Sequence, residues 1–303
     1  MALRAVAEAE AGKFRCGLIA IVGRPNVGKS TLVNRLVGAR VTITSRKAQT
    51  TRHRVNGIVT SADTQFVFVD TPGFQTKHRS RLNDRMNRTV TQSIADVDAA
   101  ILVVEAGRTT DADRTVIRLL PAGTPALVAQ NKLDRLKDRN ALLPQMAELS
   151  ALDRFAAIVP VSAEKGEGVQ ALVAEARKLL PVGEPLFDAD AITDRDERFI
   201  AAEFVREKIF RLLGEEVPYA TAVAIERFVH EGEMRRIEAT VYVDRDNQRA
   251  ILLGAGGEQM KALASAARAD MERMFGGPVF LAVHVRVRRG WADDETLLAR
   301  FGY

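Results

Sequence analysis

Cysteine is almost missing: Cys16 stands alone in 303 residues. No disulfide can close within the chain and no cysteine cage can hold a metal, which fits a reducing compartment and a cytoplasmic protein. Long apolar runs are missing too, none approaching the roughly 18 residues that a spanning helix needs. Residues 1–15 mix alanine with Glu8, Glu10 and Lys13 and lack an apolar signal core, so they read as a flexible tail. The histidines, His53, His78, His230 and His284, stand apart without Glu-x-x-His or cysteine partners, and no zinc site is expected. What remains, 47% hydrophobic and 27% charged residues, is the composition of a soluble globular protein of about two domains.

Net charge is +5, but it is unevenly spread. Residues 1–181 carry about 27 Lys and Arg against 17 Asp and Glu, whereas residues 182–303 carry about 17 against 22. Global basicity therefore does not locate a polyanion site, and local patches must.

The most informative stretch is Gly23-Arg24-Pro25-Asn26-Val27-Gly28-Lys29-Ser30. It follows an apolar run, 17–22, that reads as a buried strand, and it opens a helical pattern over 31–37. Strand, glycine loop and helix in that order form a phosphate cradle, because glycines let N–H groups turn inward while the helix N-terminus adds free donors and a positive dipole end. Gly23, Asn26, Val27, Gly28, Lys29, Ser30 and Thr31 are the expected nucleotide contacts, with Lys29 on the β and γ phosphates and the Ser30 hydroxyl on Mg²⁺.

Residues 65–70 read as a strand ending in Asp70-Thr71-Pro72-Gly73. Asp70 is suited to hold Mg²⁺ through water, and the Gly73 N–H to approach a γ-phosphate, with Thr71 and Pro72 between them. Strands over 99–105, 126–131 and 157–161 alternate with helical stretches near 80–95 and 111–120, the pattern of an α/β domain with a largely parallel sheet. Asn131-Lys132-Leu133-Asp134 follows the second of these. The Asp134 carboxylate can accept from both N1–H and N2–H₂ of guanine, whereas adenine leaves it unpaired. Asn131 braces the loop, Lys132 packs its stem on the purine, and Ser162-Ala163 after the last strand offers the Ala163 N–H to guanine O6.

Between the first helix and the strand at 65 lies a basic, apolar-poor connection, 40–54, around Gln49-Thr50-Thr51-Arg52, with the look of a functional loop. Beyond Pro181, periodicity fades through an acidic stretch containing Pro185. The expected domains are a tail at 1–15, a nucleotide domain at 16–181, a linker at 182–193 and a second domain at 194–303.

That second domain opens on a helical pattern over 194–213, whose charged residues read as a solvated face. Ile237, Ala239, Val241 and Val243 alternate with polar residues, as do Val279, Leu281, Val283, Val285 and Val287. Between them, a short helix at 248–253 leads through Gly254-Ala255-Gly256-Gly257 into a longer one at 258–275. A terminal helix at 293–301 is expected to pack Trp291 and Tyr303, with base stacking by those rings the alternative.

Together these motifs, with Gly290-Trp291-Ala292-Asp293-Asp294-Glu295, resemble the translation-factor-related GTPases of the Era type over nearly the whole chain. The resemblance implies an α/β P-loop GTPase domain, a mixed sheet flanked by helices, followed by an α+β K-homology domain of the second type. By that likeness residues 49–52 lie in switch I, with Thr51 as Mg²⁺ and water ligand and Thr50 the alternative, so that Lys29, Thr51 and Gly73 carry hydrolysis. Ser30, Thr51 and Asp70 then form the Mg²⁺ set. Asn26 stands where related GTPases coordinate K⁺. Where Ras-like proteins place a water-orienting glutamine, this chain has Phe74, which implies a slow intrinsic rate.

The K-homology likeness implies a grip on about four single-stranded nucleotides. Gly254, Ala255, Gly256 and Gly257 would approach the backbone, and Arg249, Lys261, Arg286 and Arg288 would supply charge in place of the basic residue that such loops usually carry between their glycines. The implied partners are GTP and GDP, the 3′ end of small-subunit ribosomal RNA and the small ribosomal subunit, whose assembly the protein would serve as a monomer, with peripheral contact to the inner membrane face. Two other readings stand beside this one: a signalling GTPase whose second domain binds protein, and a GTPase recruited to anionic lipid by Lys77, Arg79, Arg81, Arg85 and Arg88.

Overall fold

Strand β1 (Arg15–Val22) is apolar at every position from Leu18 onward, and its side chains divide by parity. Ile19 and Ile21 join a cluster with Val33, Phe66 and Phe68, whereas Ala20 and Val22 join one with Val90, Ile94 and Val128. A strand covered on both faces must be apolar throughout. Ile19 and Ile21 are fully buried, each contributing roughly 1.5–3 kcal/mol. The computed structural model describes residues 13–74, 80–214 and 216–303, so the tail 1–12, Lys77, His78 and Arg79 lie outside the described residues.

β1 is central to a six-stranded sheet with β2 (Val55–Thr60), β3 (Thr64–Asp70), β4 (Ala99–Glu105), β5 (Ala126–Asn131) and β6 (Ala157–Pro160), in the order 2-3-1-4-5-6. Only the edge strand β2 is antiparallel to its neighbour, so the sheet is mixed. Helices α1 (Lys29–Val37), α2 (Arg81–Ala95), α3 (Asp111–Leu119), α4 (Leu142–Ser150) and α5 (Val169–Leu179) cross between strands. β3 and β4 flank β1 on opposite sides, so the crossovers leave it in opposite directions and the strand C-termini open onto one crevice. The phosphate loop, residues 70–73, residues 131–134 and residues 162–163 all lie at C-terminal strand ends, whereas residues 49–52 precede β2.

The connection 182–194 is bound along its length to this first unit. Val182 bridges Arg15, and Leu186 and Phe187 donate their N–H groups to the Oε1 of fully buried Gln65 at 2.7 and 3.0 Å. Ile58 donates to the Ile192 carbonyl, and Asp194 accepts from both the N–H and the side-chain amide of Asn56 at 3.1 and 3.0 Å.

The second compact unit comprises the described residues of Ile43–His53, Thr76–Met86 and Arg195–Tyr303. Its elements are α6 (Glu197–Leu212), β7 (Thr221–Glu231), β8 (Met234–Val243), α7 (Asp246–Leu253), α8 (Glu258–Phe275), β9 (Val279–Val287) and α9 (Glu295–Arg300). β7 runs antiparallel to β8 and β9 parallel to it, leaving β9 at an edge. Odd-numbered residues of β8 and β9 pack with the helices in one core, as their alternation requires.

One expectation changes here and another holds. The charged residues of α6 are not a solvated face: Arg206, Glu207 and Lys208 are buried. Arg206 forks onto Glu203 at 2.7 and 2.6 Å, Lys208 pairs with Asp270, and Glu207 accepts from the Thr44 N–H at 3.0 Å. Burying a charge demands such partners; Glu203 lies one turn before Arg206, whereas Asp270 and Thr44 come from distant sequence. Trp291 is 1% exposed, donates to the Ala220 carbonyl and packs with Tyr242, Leu298 and Phe301, so it is core and not a stacking surface for a base.

Candidate functional site

The phosphate loop is held by its neighbours. A Cβ on Gly23 would meet the Val103 carbonyl at 2.4 Å, and one on Gly28 the Asn131 side-chain nitrogen at 2.3 Å, with φ at +155° and +100°. Only glycine fits either position. Gly28 caps α1, whose first turn carries no acidic residue, so its free N–H groups face the loop uncompensated. Buried Lys29 lies across the loop, its Nζ donating to the Gly23 and Arg24 carbonyls at 3.0 and 3.2 Å. Burial pushes its pKa down to about 8, with Asp70 pulling the other way and Arg24 adding to the fall. Asn26 takes φ +64°.

Asp70, fully buried, ends β3, and the Thr71 hydroxyl donates to the Ile21 carbonyl of β1 at 2.9 Å. Pro72 leads to Gly73, where a Cβ would stand 3.0–3.2 Å from Pro25. The β3 loop therefore touches the phosphate loop through a position that needs a small residue. Phe74 turns into the apolar cluster of Val90 and Ile94.

Asn131 straps three loops together. Its Nδ2 donates to the Val27 carbonyl at 2.8 Å, and its Oδ1 accepts from the Ala163 N–H at 3.0 Å. The Ala163 N–H, expected to face guanine O6, is thus engaged by the strap in this structure. Exposed Asp134 accepts from the Ser162 hydroxyl, which also accepts from the Lys165 N–H, fixing one carboxylate oxygen. Lys132 adopts φ +66° and pairs with Glu105 at 3.5 Å.

Glu105 also binds Arg24 at 2.8 Å, and Arg24 reaches buried Asp113 at 3.3 Å. Sequence reading missed this bridge between the phosphate loop and the base loop. Burial raises the Glu105 carboxyl, but the hydrogen bond from Arg24 and the Lys132 charge outweigh it and hold the group below its ordinary value.

Ser30 and Asp70 belong to the first unit, whereas Thr50 and Thr51 lie in the segment 43–53 of the second. Arg52 anchors that segment within the second unit. It is 2% exposed, its fork donates to the carbonyls of Thr221, Pro218 and Tyr219 at 2.7, 3.0 and 3.2 Å, and it lies over the rings of Phe210, Trp291 and Tyr303. Arg211 donates to the Thr44 carbonyl at 3.0 Å, and the Thr50 hydroxyl donates to the Lys47 carbonyl at 2.7 Å. His53 stacks on Tyr303 at 4.6 Å. Desolvation pushes its pKa down to about 4, against the pull of Glu203.

In the second unit, the glycine turn joins α7 to α8 with φ +70°, +59° and +83° at Gly254, Gly256 and Gly257. Gly254 must be bare because a Cβ would meet Gln259 at 2.6 Å, whereas nothing lies within 4 Å of one on Gly256 or Gly257. Ala255 is exposed, as are Arg249, Lys261, Arg286 and Arg288. Every other arginine between Arg227 and Arg300 has a carboxylate partner, while those four cations form no ion pair with one among the described residues. By contrast, Arg81 and Arg85 share Glu295, whose one negative charge offsets one of theirs in the lipid-binding reading. Among the described residues no helix is long and apolar enough to cross a membrane.

Comparison with known proteins agrees with both halves. A family model described as a 50S ribosome-binding GTPase matches residues 18–132, and a KH domain model matches residues 216–292. The chain is 52% identical over 293 residues to the GTPase Era of Nitrosomonas eutropha, covering 97% of this chain and 99% of that one. A solved structure of Era with MgGDPNP and nucleotides 1506–1542 of 16S ribosomal RNA superposes with a TM-score of 0.91 at 36% identity, over 96% of this chain and 99% of that one. Aquifex aeolicus Era bound to GDP and AlF₄⁻ gives a TM-score of 0.92, also at 36% identity, with the same coverage of both chains.

Proposed function

The chain belongs to the Era family of GTPases, and from that premise we propose that it hydrolyses GTP in the crevice between Gly23 and Ala163 and binds the 3′ end of small-subunit ribosomal RNA at the turn Gly254–Gly257, in assembly of the small ribosomal subunit. The observation that carries the nucleotide half is the strap of Asn131, with Asp134 fixed by Ser162 beside it. A carboxylate so held recognises the paired donors of guanine. The RNA half rests on Arg249 and Lys261, exposed beside the glycine turn and in no ion pair among the described residues.

Ser30 and Asp70 suit Mg²⁺, since a hydroxyl and a carboxylate are hard oxygen donors, too few for a protein cage and right for an ion completed by phosphate and water. The ion would neutralise charge on the phosphates. Lys29 supplies a second cation, and bound phosphates would hold its proton against the fall that burial imposes. Phe74, packed away in its cluster, can neither donate nor accept, so the attacking water is oriented by backbone near Gly73 and by Thr51. By family likeness Thr51 takes that role when bound GTP and Mg²⁺ order residues 46–54, which ties nucleotide state to access at the RNA groove, and the want of a water-orienting glutamine makes intrinsic hydrolysis slow. Asn26 in the phosphate loop is the K⁺ ligand of this reading. A cytoplasmic monomer with peripheral membrane contact follows from family likeness alone, as does the division into a GTPase domain at 16–181, a linker at 182–193 and a K-homology domain at 194–303.

Titration of RNA 1506–1542 into the protein with GTP analogue, GDP or no nucleotide, at fixed salt, tests the reading. Affinities that differ at least fivefold between analogue and GDP are expected. Equal affinities in all three states would refute the coupling, and no binding in any state would refute the RNA assignment.

A further inference from the structure

β9 is an edge strand, and its even-numbered residues face away from the helices. Along that face run Phe280, Ala282, His284, Arg286 and Arg288, of which only Ala282 is not exposed. The facing residues of β8 are Arg236, Glu238, Thr240 and Tyr242 in register. Thr240 and Tyr242 are buried, Tyr242 in the cluster that holds Trp291 and Phe301, whereas Phe280 remains 44% exposed. The terminal segment thus covers part of this face and leaves the β9 row open.

The row differs from the surrounding surface in two ways. Among the described residues Arg286 and Arg288 lack carboxylate partners, while neighbouring Arg227, Arg235 and Arg236 are paired to Glu238, Glu197 and Glu231. Phe280 is also pre-set, because the Arg236 guanidinium sits 4.5 Å from its ring centroid and Glu231 anchors that guanidinium at 3.0 Å. An exposed ring held in place, followed along one strand by a histidine and two free cations, is a platform for single-stranded nucleic acid: bases stack on rings while phosphates meet cations.

Resting on the proposed RNA-binding function, we infer that this face of β9 is a second contact surface for the same RNA, outside the groove at the glycine turn. Its occupant is single-stranded RNA continuing past the roughly four nucleotides which that turn can hold. The charge argument selects a polyanion over a second copy of this chain, whose matching face would bring Arg286 and Arg288 against themselves.

The test uses the full chain and two kinds of RNA: the whole segment 1506–1542, and four-nucleotide pieces tiled through it. Phe280→Ala should weaken binding of the long RNA about tenfold and leave the best short piece unchanged. Arg286→Gln with Arg288→Gln should do the same and lower the slope of log affinity against log salt by roughly 1.4. Gly256→Asp, in the turn, should weaken both. Loss on long RNA alone supports the second surface. Equal loss on short and long RNA, or none on either, overturns it while Gly256→Asp still reports on the turn. Failure of the unaltered protein to bind any RNA overturns the functional reading as well. A change in oligomeric state on Phe280→Ala with RNA affinity unchanged would make the face a self-association surface and overturn the inference.

Discussion

Two helices in this molecule start the same way and do different work. α1 and α8 each begin behind a left-handed glycine, Gly28 at φ +100° and Gly257 at φ +83°, with no side-chain cap. Around Gly28 the protein is closed, since a Cβ would strike Asn131; around Gly257 nothing lies within 4 Å. The first turn of α1 has no acid, while that of α8 carries Glu258. A compact phosphate needs a rigid, undiluted cradle, whereas a passing RNA backbone needs open approach and moderate attraction.

The sharpest way to break this contrast is at the base loop. Asp134→Asn should cost GTP affinity on the order of a thousandfold, because the guanine donors meet an amide, and should restore binding of xanthosine nucleotides, whose 2-carbonyl accepts from it. Calorimetry with both nucleotides decides; equal loss for both would mean that Asp134 only shapes the loop. Next, Gly28→Ala should weaken nucleotide binding about a hundredfold by displacing Asn131. The matching Gly256→Ala should lower RNA affinity about tenfold while changing stability by only about 1 kcal/mol, the strain of its φ, measured by urea melts. If Gly256→Ala unfolds the second unit, the two turns are not different in kind.

Lys29 offers a test by pH. Its pKa near 8 in the free protein lies below the ordinary lysine value, so between about 8 and 10.5 the unfolded chain binds more protons than the folded one. The burial penalty on Lys29 is therefore relieved as pH rises through that window. Nucleotide affinity should move oppositely, falling by up to about tenfold per unit above pH 8, with proton uptake seen by calorimetry in buffers of different ionisation enthalpy. Constant affinity from pH 7 to 9.5 would contradict the buried-lysine account. The smallest effect is Glu258→Gln, which should tighten RNA binding about two- to threefold by removing a negative charge from the α8 N-terminus.

Much of this architecture could be read from the chain. β4, β5 and α8 lie where their patterns place them, because each is a long run with one clear period. β2 escaped notice: it is short and carries Gly57, needed because a Cβ would meet Val37 at 2.6 Å. β7 was hidden by the register shift between Ile225 and Arg227, which breaks the alternation halfway. The loops that the structure gathers around Gly23, Gly28, Lys29 and Asn131 stood out in the sequence because each carries a short motif at fixed spacing. Glu105, Asp113, Thr44 as the partner of Glu207 and Asp270 as the partner of Lys208 were not, since these groups meet across the fold and share no local pattern.

The setting of Arg52 decides how firmly the segment 43–53 is held. A guanidinium has five N–H donors, and this one spends its fork on carbonyls of its own chain and on the Tyr303 hydroxyl at 3.2 Å. Both fork nitrogens are thus committed inside the second unit, and Nε alone has no hydrogen-bond partner among the described residues, so loosening the segment 43–53 means giving up four bonds from one side chain.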